Sequence, residues 1–342
     1  MTAARSLSVS RRGVLAVGGA VGMGALLAAC GGDKGSGGTG GDSGGGQWSF
    51  KDDRGQKVSL DGTPQRIVAF TGTAAALYDF GIDKQVVGVF GPTRLSNGKA
   101  DPQAGDLDVK RLTVIGNAYG QFNVEKYAAL NPDLLITNMY EPGDLWFVPA
   151  ESKDKITKLA ETVALTVSRK PMDKVIARYA DLAESLGADL KAKKVTDAKA
   201  RFEKAAASLR QATKSNPVKV LACSGSAQYF YASSPAQSAD LLYYKSLGVD
   251  FVVPDNLDKG GYFESLSWEN ADKYKADVLF LDNRTQTLQP SDLAKKPSWK
   301  DLPAVKADQI VPWPSEPRFS YAGAAPLLEQ LAEAVKKAKK VA

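Results

Sequence analysis

Residues 170–187 read KPMDKVIARYADLAESLG, and the reading of the whole chain turns on them. Met172, Val175, Ile176, Tyr179, Leu182, Ala183 and Leu186 recur at steps of three and four residues, which sets one continuous apolar stripe along a helix. Pro171 suits a first helical turn, where its missing N–H costs nothing, and Gly187 suits the stop. A helix over residues 171–187 spans roughly 24 Å.

On both sides of this helix, short apolar runs alternate with short helical patterns. Upstream, WSFKDDRGQKVSL (residues 47–60 with its Gln47) reads as a hairpin turning at Asp53-Arg54-Gly55. RIVAF, QVVGVF, DLLITN and ALTV then read as strands, with TAAALYDFG, NVEKYAAL and KDKITKLAET as the helices between them. Downstream the order returns: VKVLACSG matches RIVAF, SADLLYYKSLGVDFVV matches AAALYDFGIDKQVVGV, and NADKYKADVLFLDN matches VEKYAALNPDLLITN. A further helix over LKAKKVTDAKARFEKAAASLRQA precedes Pro217, and WKDLPAVKADQIVPW followed by AAPLLEQLAEAVKKA supplies the last strand and an amphipathic closing helix. Strands alternating with helices imply parallel pairing. The expected fold is α/β: two similar lobes with mostly parallel sheets, residues 47–170 and 188–342, bridged by one long rigid helix, with a ligand cleft between them. A helical bridge should allow only slight opening and closing.

The beginning of the chain serves another purpose. Arg5, Arg11 and Arg12 precede an apolar, small-residue run over 14–29, the layout of an export signal. The run is glycine-rich and falls short of the ~20 strongly apolar residues of a spanning helix. Ser10-Arg11-Arg12 resembles a twin-arginine signal, although the general secretory route also accepts paired arginines. Leu27-Ala28-Ala29-Cys30 resembles a lipobox, which makes residues 1–29 a signal peptide and Cys30 the lipidated anchor. The glycine-rich stretch that follows, within residues 30–46, is then a flexible tether reaching roughly 20–25 Å.

Composition excludes several chemistries. The chain has no histidine, so Ser-His-Asp and Cys-His catalysis and imidazole-based zinc sites are out. Of its two cysteines, Cys30 is taken by the anchor, which leaves Cys223 as a small buried hydrophobe with no disulfide partner. GPTRLSNGKA lacks phosphate-loop spacing, and no GxSxG surrounds Ser224 or Ser226. The formal charge of +6 comes mainly from lysines on amphipathic segments, and no nucleic-acid motif accompanies them.

In open α/β sheets, ligands bind beyond the carboxyl ends of the strands. In the first lobe those positions hold Thr71, Arg94, Tyr119, Gln121, Asn138, Met139, Tyr140, Trp146 and Arg169. In the second they hold Ser224, Ser226, Tyr229, Tyr231, Tyr262, Phe263, Arg284, Trp313, Arg318, Phe319 and Tyr321. Aromatic faces and guanidinium groups dominate, a combination suited to a bulky organic ligand with oxygen acceptors. From these the expected ligand residues are Arg94, Tyr119, Gln121, Tyr140, Trp146, Tyr229, Tyr231, Tyr262, Arg284, Trp313, Arg318 and Tyr321.

The anchor, the two lobes and the bridging helix together resemble the solute-binding lipoproteins of ABC importers for ferric siderophores and cobalamin. PQRIVAF, LYDFGI, YAALNPDLLIT and SLGVDFVVP carry the resemblance, in order, over almost the whole mature chain. It implies a membrane-anchored extracytoplasmic monomer, not an enzyme, with no cofactor and no resident metal. Its ligand would be a ferric siderophore, and its partners an ABC permease with its ATPase. A ferric trihydroxamate fits best, because its metal is already fully coordinated and the protein need only recognise the chelate shell. In the family an arginine and a tyrosine of the first lobe meet the hydroxamate oxygens. Tyr140 stands at the tyrosine place and Tyr119 at the arginine place, so Arg94 or an arginine of the second lobe would have to replace it. The resemblance also implies an acidic residue on each lobe for permease docking, here Asp79 (near Ala75) and Asp240. Cobalamin, haem or a catecholate chelate are the alternative ligands. A carboxylate-dependent surface hydrolase is the alternative class, and it would need paired carboxylates in the cleft.

Overall fold

In the computed structural model, which describes residues 46–342, the first element is a hairpin of β1 (Trp48–Lys51) and β2 (Lys57–Leu60), antiparallel. The signal peptide, Cys30 and nearly all of the tether lie outside the described residues. Asp52 locks the hairpin turn, its carboxylate accepting from the N–H groups of Arg54, Gln56 and Ala164.

The first lobe follows as β3 (Ile67–Phe70), α1 (Thr71–Asp79), β4 (Val86–Phe90), β5 (Thr113–Gly116), α2 (Val124–Ala129), β6 (Leu134–Met139), α3 (Lys153–Leu159) and β7 (Glu161–Thr166). Its five strands are all parallel, in the order β5-β4-β3-β6-β7. Every residue of β3 and of β6 is buried, as expected where helices cover both faces of a parallel sheet. The chain starts at the centre, runs to one edge through β4 and β5, then returns to β6 on the other side of β3. The switch point of the sheet therefore lies between the carboxyl ends of β3 and β6, beside Tyr140.

The bridge α4 spans Met172–Ser185. Its predicted apolar stripe is the face that is buried, from Met172 through Val175, Ile176, Tyr179 and Leu182 to Ala183. Each large side chain so buried contributes on the order of 1.5–3 kcal/mol. Gly187 closes the helix at φ +98°, a conformation that side-chain-bearing residues resist. The indole N–H of Trp48 donates to Ser185 O at 2.9 Å and Arg178 Nε to Asp53 Oδ1 at 2.8 Å, which ties the hairpin to the bridge.

The second lobe comprises α5 (Lys193–Ser215), β8 (Lys219–Gly225), β9 (Tyr229–Ser233), α6 (Ala239–Ser246), β10 (Asp250–Phe251), β11 (Phe263–Ser267), β12 (Val278–Asp282), the short α7 (Pro290–Leu293), α8 (Pro297–Asp301) and α9 (Pro303–Lys306), β13 (Ile310–Trp313) and α10 (Tyr321–Lys337). Its sheet runs β11-β9-β8-β12-β13, with β10 pairing the start of β8. β8 is again central, and its switch point faces β12. The lobe is a looser copy than the sequence pattern implied. β9 and β11 pair antiparallel, and the counterpart of β4 has shrunk to the two residues of β10. The cause is the tight turn after β8, where Ser226 N–H donates to Tyr229 O at 2.9 Å and folds QYFYAS back as a strand.

One apolar core continues from Trp48 and Phe50 through Ala75, Leu77 and α4 to Val220, Phe280 and Val311, so both lobes and the bridge share it. Separate apolar clusters cover the outer faces of the two sheets.

Candidate functional site

The carboxyl ends of the two central sheet regions face a cavity of about 500 Å³. That is within the range of small-molecule pockets. From the first lobe it is lined by Tyr140, Glu141, Asp144 and Trp146, all on the segment that leaves β6. From the second it is lined by Ser224, Gly225 and Ser226 at the end of β8, by Tyr231, Tyr262 and Phe263, by Asp282 and Arg284 at the end of β12, and by Trp313, Ser315 and Glu316 at the end of β13.

The first-lobe wall is aromatic and firmly held. The rings of Tyr140 and Trp146 meet edge to face with centroids 4.7 Å apart, and Phe147 backs Trp146 at 5.5 Å. Thr137 Oγ1 donates to Trp146 O at 2.7 Å and Trp146 N–H to Asn138 O at 2.9 Å, which pins the loop onto β6. Phe147 sits at φ +61°, a strained conformation for a bulky side chain and one that accumulates at ligand clamps. Three groups converge on Tyr140 O: Ser168 Oγ at 2.5 Å, Tyr262 Oη at 3.0 Å and Arg169 Nη1 at 3.1 Å. Tyr140 is half-buried, and its hydroxyl, which is fully buried, has no protein partner. Burial, reinforced by Glu316, pushes its pKa well above the ordinary tyrosine value, so the hydroxyl is a hydrogen-bond donor at any physiological pH.

The second-lobe wall carries the charge. Arg284 Nη2 meets Asp282 Oδ2 at 2.7 Å and Arg284 Nη1 meets Glu316 Oε1 at 2.6 Å. Burial works against the guanidinium charge, but these two carboxylates outweigh it and hold the pKa above its ordinary value. Glu316 also crosses the cleft, its Oε2 accepting from Trp146 Nε1 at 3.2 Å and Gln103 Nε2 at 3.1 Å.

Six of the expected ligand residues meet in this cavity: Tyr140, Trp146, Tyr231, Tyr262, Arg284 and Trp313. Six others do not line it. Tyr119, 66% exposed, meets Trp146 at a tilt and Phe147 edge to face from outside, and Tyr229 leans on Tyr231 at a tilt. Arg94 donates from Nη2 to Val109 O at 2.6 Å, inside its own loop. Gln121 is exposed beside Gly116, where its carbonyl leaves no room for a side chain. Arg318 binds Asp79 and Asp106, both at 3.5 Å, and Tyr321 packs on Phe80 and Phe202 in the shared core.

Asp79 and Asp240 require a correction. Both are buried, at 4% and 1% exposure, and neither offers a surface carboxylate to a permease. Asp79 accepts from Ser320 Oγ at 2.5 Å and Asp240 from Trp313 Nε1 at 2.6 Å, the internal partners that a buried carboxylate needs. Burial pushes the Asp79 pKa upward and raises that of Asp240 to about 7.

The expected ligand residues include no acid. Glu141, Asp144, Asp282 and Glu316 all line the cavity. The strand-end rule that found Arg284 and Trp313 also reaches Asp282 and Glu316. Asp282 and Glu316 share one guanidinium and so act as its counterions, an arrangement unlike the separated acid and base of a glycosidase.

Residues 67–317 match the family described as periplasmic binding protein. The fold superposes on DesE, a ferric-siderophore receptor protein from Streptomyces coelicolor, with a TM-score of 0.83 and 56% identity, over 86% of this chain and 100% of that one. Two relatives from Bacillus subtilis (strain 168) are each 25% identical. The Fe(3+)-citrate-binding protein YfmC matches over 264 residues, 74% of either chain, and the iron(3+)-hydroxamate-binding protein FhuD over 195 residues, 55% of this chain and 57% of that one. This chain is a two-lobed member of the periplasmic binding protein family.

Proposed function

We propose that the chain captures a ferric siderophore of hydroxamate type between its lobes, outside the cytoplasm, and delivers it to an ABC permease for iron uptake. The observation that carries this reading is the Tyr140–Trp146 wall facing Arg284, with the Tyr140 hydroxyl buried and unpartnered. The aromatic faces suit the organic shell of a chelate, and the free hydroxyl is a donor for one of its oxygens. Charge supports the hydroxamate class. Three hydroxamates balance ferric iron, whereas three catecholates leave a strongly anionic complex. A cavity with Glu141, Asp144, Asp282 and Glu316 on its walls suits the uncharged shell. Among the relatives, FhuD is named for ferric hydroxamate, DesE for a ferric siderophore and YfmC for ferric citrate, and the first of these supports the hydroxamate reading. The basic, apolar start of the chain and Leu27-Ala28-Ala29-Cys30 support a lipid anchor on Cys30.

The test is tryptophan fluorescence of the tether-free protein, titrated with a ferric trihydroxamate and its iron-free form. Cobalamin, haem and a ferric triscatecholate serve as the rival arms, and thermal shift is measured at equal concentrations. Saturable quenching with thermal stabilisation by the ferric trihydroxamate alone is expected. Stabilisation by a rival and none by the trihydroxamate would overturn the ligand class.

A further inference from the structure

Among the described residues that line the cavity the one arginine, Arg284, is already occupied, and by two acids of different standing. Asp282 belongs to the same strand end as Arg284. It also accepts from Arg284 N–H at 3.0 Å and from Ser224 Oγ at 3.2 Å, so it is a fixture of the second lobe. Glu316 has no such local anchor among its side-chain bonds. Its Oε1 holds Arg284 Nη1 at 2.6 Å, while its Oε2 takes Trp146 Nε1 and Gln103 Nε2 from the opposite lobe. A carboxylate thus stands between the cavity's cation and the indole donor facing it, the position an anionic ligand oxygen would need.

We propose that Glu316 is a charge filter, a residue that sets which ferric chelates the cleft accepts by competing with them for Arg284 and Trp146. The inference rests on the binding function proposed above and deepens it. An anionic chelate that takes the Arg284 Nη1 donor must displace Glu316, which then remains as a buried carboxylate without its cation. An uncharged chelate disturbs at most the bonds that the neutral donors Trp146 and Gln103 give to Glu316 and leaves the ion pair whole. Selectivity comes here from what the site refuses.

Glu316→Gln separates this role from that of a strut between the lobes, because the amide keeps an acceptor oxygen and loses the charge. Affinities for an uncharged ferric trihydroxamate and for a ferric triscatecholate are measured by titration on the wild type, on Glu316→Gln and on Glu316→Asp. In the wild type the trihydroxamate should bind and the triscatecholate should be weaker by about a hundredfold. Glu316→Gln should tighten the triscatecholate by about tenfold or more and move the trihydroxamate by less than about threefold. Adding Arg284→Gln to that variant should abolish the gain. Glu316→Asp keeps the charge with a shorter reach and should retain the wild-type discrimination, and this arm stands even if Glu316→Gln does not fold. Parallel changes for both chelates in Glu316→Gln, or relaxed discrimination in Glu316→Asp, would make Glu316 a strut and overturn the filter while leaving the binding function intact. A wild type that binds the triscatecholate and not the trihydroxamate would instead overturn the proposed function, and the filter with it.

Discussion

Trp313 donates its indole N–H to the buried carboxylate of Asp240 at 2.6 Å, so the acid lies directly behind an aromatic that lines the cavity. Burial raises the Asp240 pKa from 3.8 to about 7, with the Trp313 bond opposing that rise. A carboxyl whose pKa is higher in the folded state binds a proton that the unfolded chain has already released. Its contribution is complete below the unfolded pKa near 4 and is lost as pH rises to the folded value near 7. Asp240→Asn keeps an acceptor for Trp313 and cannot ionise. It should therefore gain stability over the wild type progressively between pH 4 and 7, by on the order of 1–3 kcal/mol above that window. Urea unfolding of both proteins at pH 4, 5.5, 7 and 8.5 measures the difference, and a pH-independent difference would contradict the assignment.

Tyr140→Phe should divide binding from stability. The lost hydroxyl has no protein partner, so the ligand-free melting temperature should stay level or rise slightly. If the hydroxyl donates to the chelate, affinity should fall about tenfold, the worth of one hydrogen bond of roughly 1.4 kcal/mol. Titration and thermal shift on the same preparation decide it, and undiminished affinity would remove Tyr140 from the ligand contacts.

Of the five tryptophans, Trp146 and Trp313 line the cavity. Trp146→Phe preserves an aromatic face against Tyr140 and deletes the N–H given to Glu316. A large part of the ligand-induced quenching should disappear, with saturation still detectable by thermal shift. Full quenching amplitude in this variant would place the ligand away from the first-lobe wall.

The bridge should report on both lobes at once. Ile176 is fully buried in the core that continues from one lobe to the other. Ile176→Ala should cost about 2–5 kcal/mol and keep a single unfolding transition. Glu184→Ala, on the exposed face of α4, should change stability by less than about 0.5 kcal/mol. Two separated transitions in Ile176→Ala would mean that the lobes fold independently of the bridge.

What could be read along the chain was local. The stripe from Met172 to Leu186 was legible because a helix repeats its faces every few residues, and β3 and β6 because strands buried on both faces are continuously apolar. β5 escaped notice as the four residues Thr113–Gly116 at a sheet edge, only one of them fully buried. Tyr229 and Tyr231 lie not in a loop after β8 but on β9, whose alternation of exposed Tyr229, buried Phe230 and half-buried Tyr231 has the strand period. Five residues of an antiparallel strand are too few for that period to stand out from a turn.

The sequence by itself determined the class of the fold, the bridging helix and the strand ends from which a site can be built, because each depends on patterns within a dozen residues. Only the tertiary structure decided what those ends do. Glu316 meets Gln103 and Trp146 across 213 and 170 residues of chain, and Asp79 meets Ser320 across 241. Periodicity carries no information about such pairs. They exist because two sheets dock on one helix through a shared core, and that docking chooses which charges are buried, which are paired and which face the cavity.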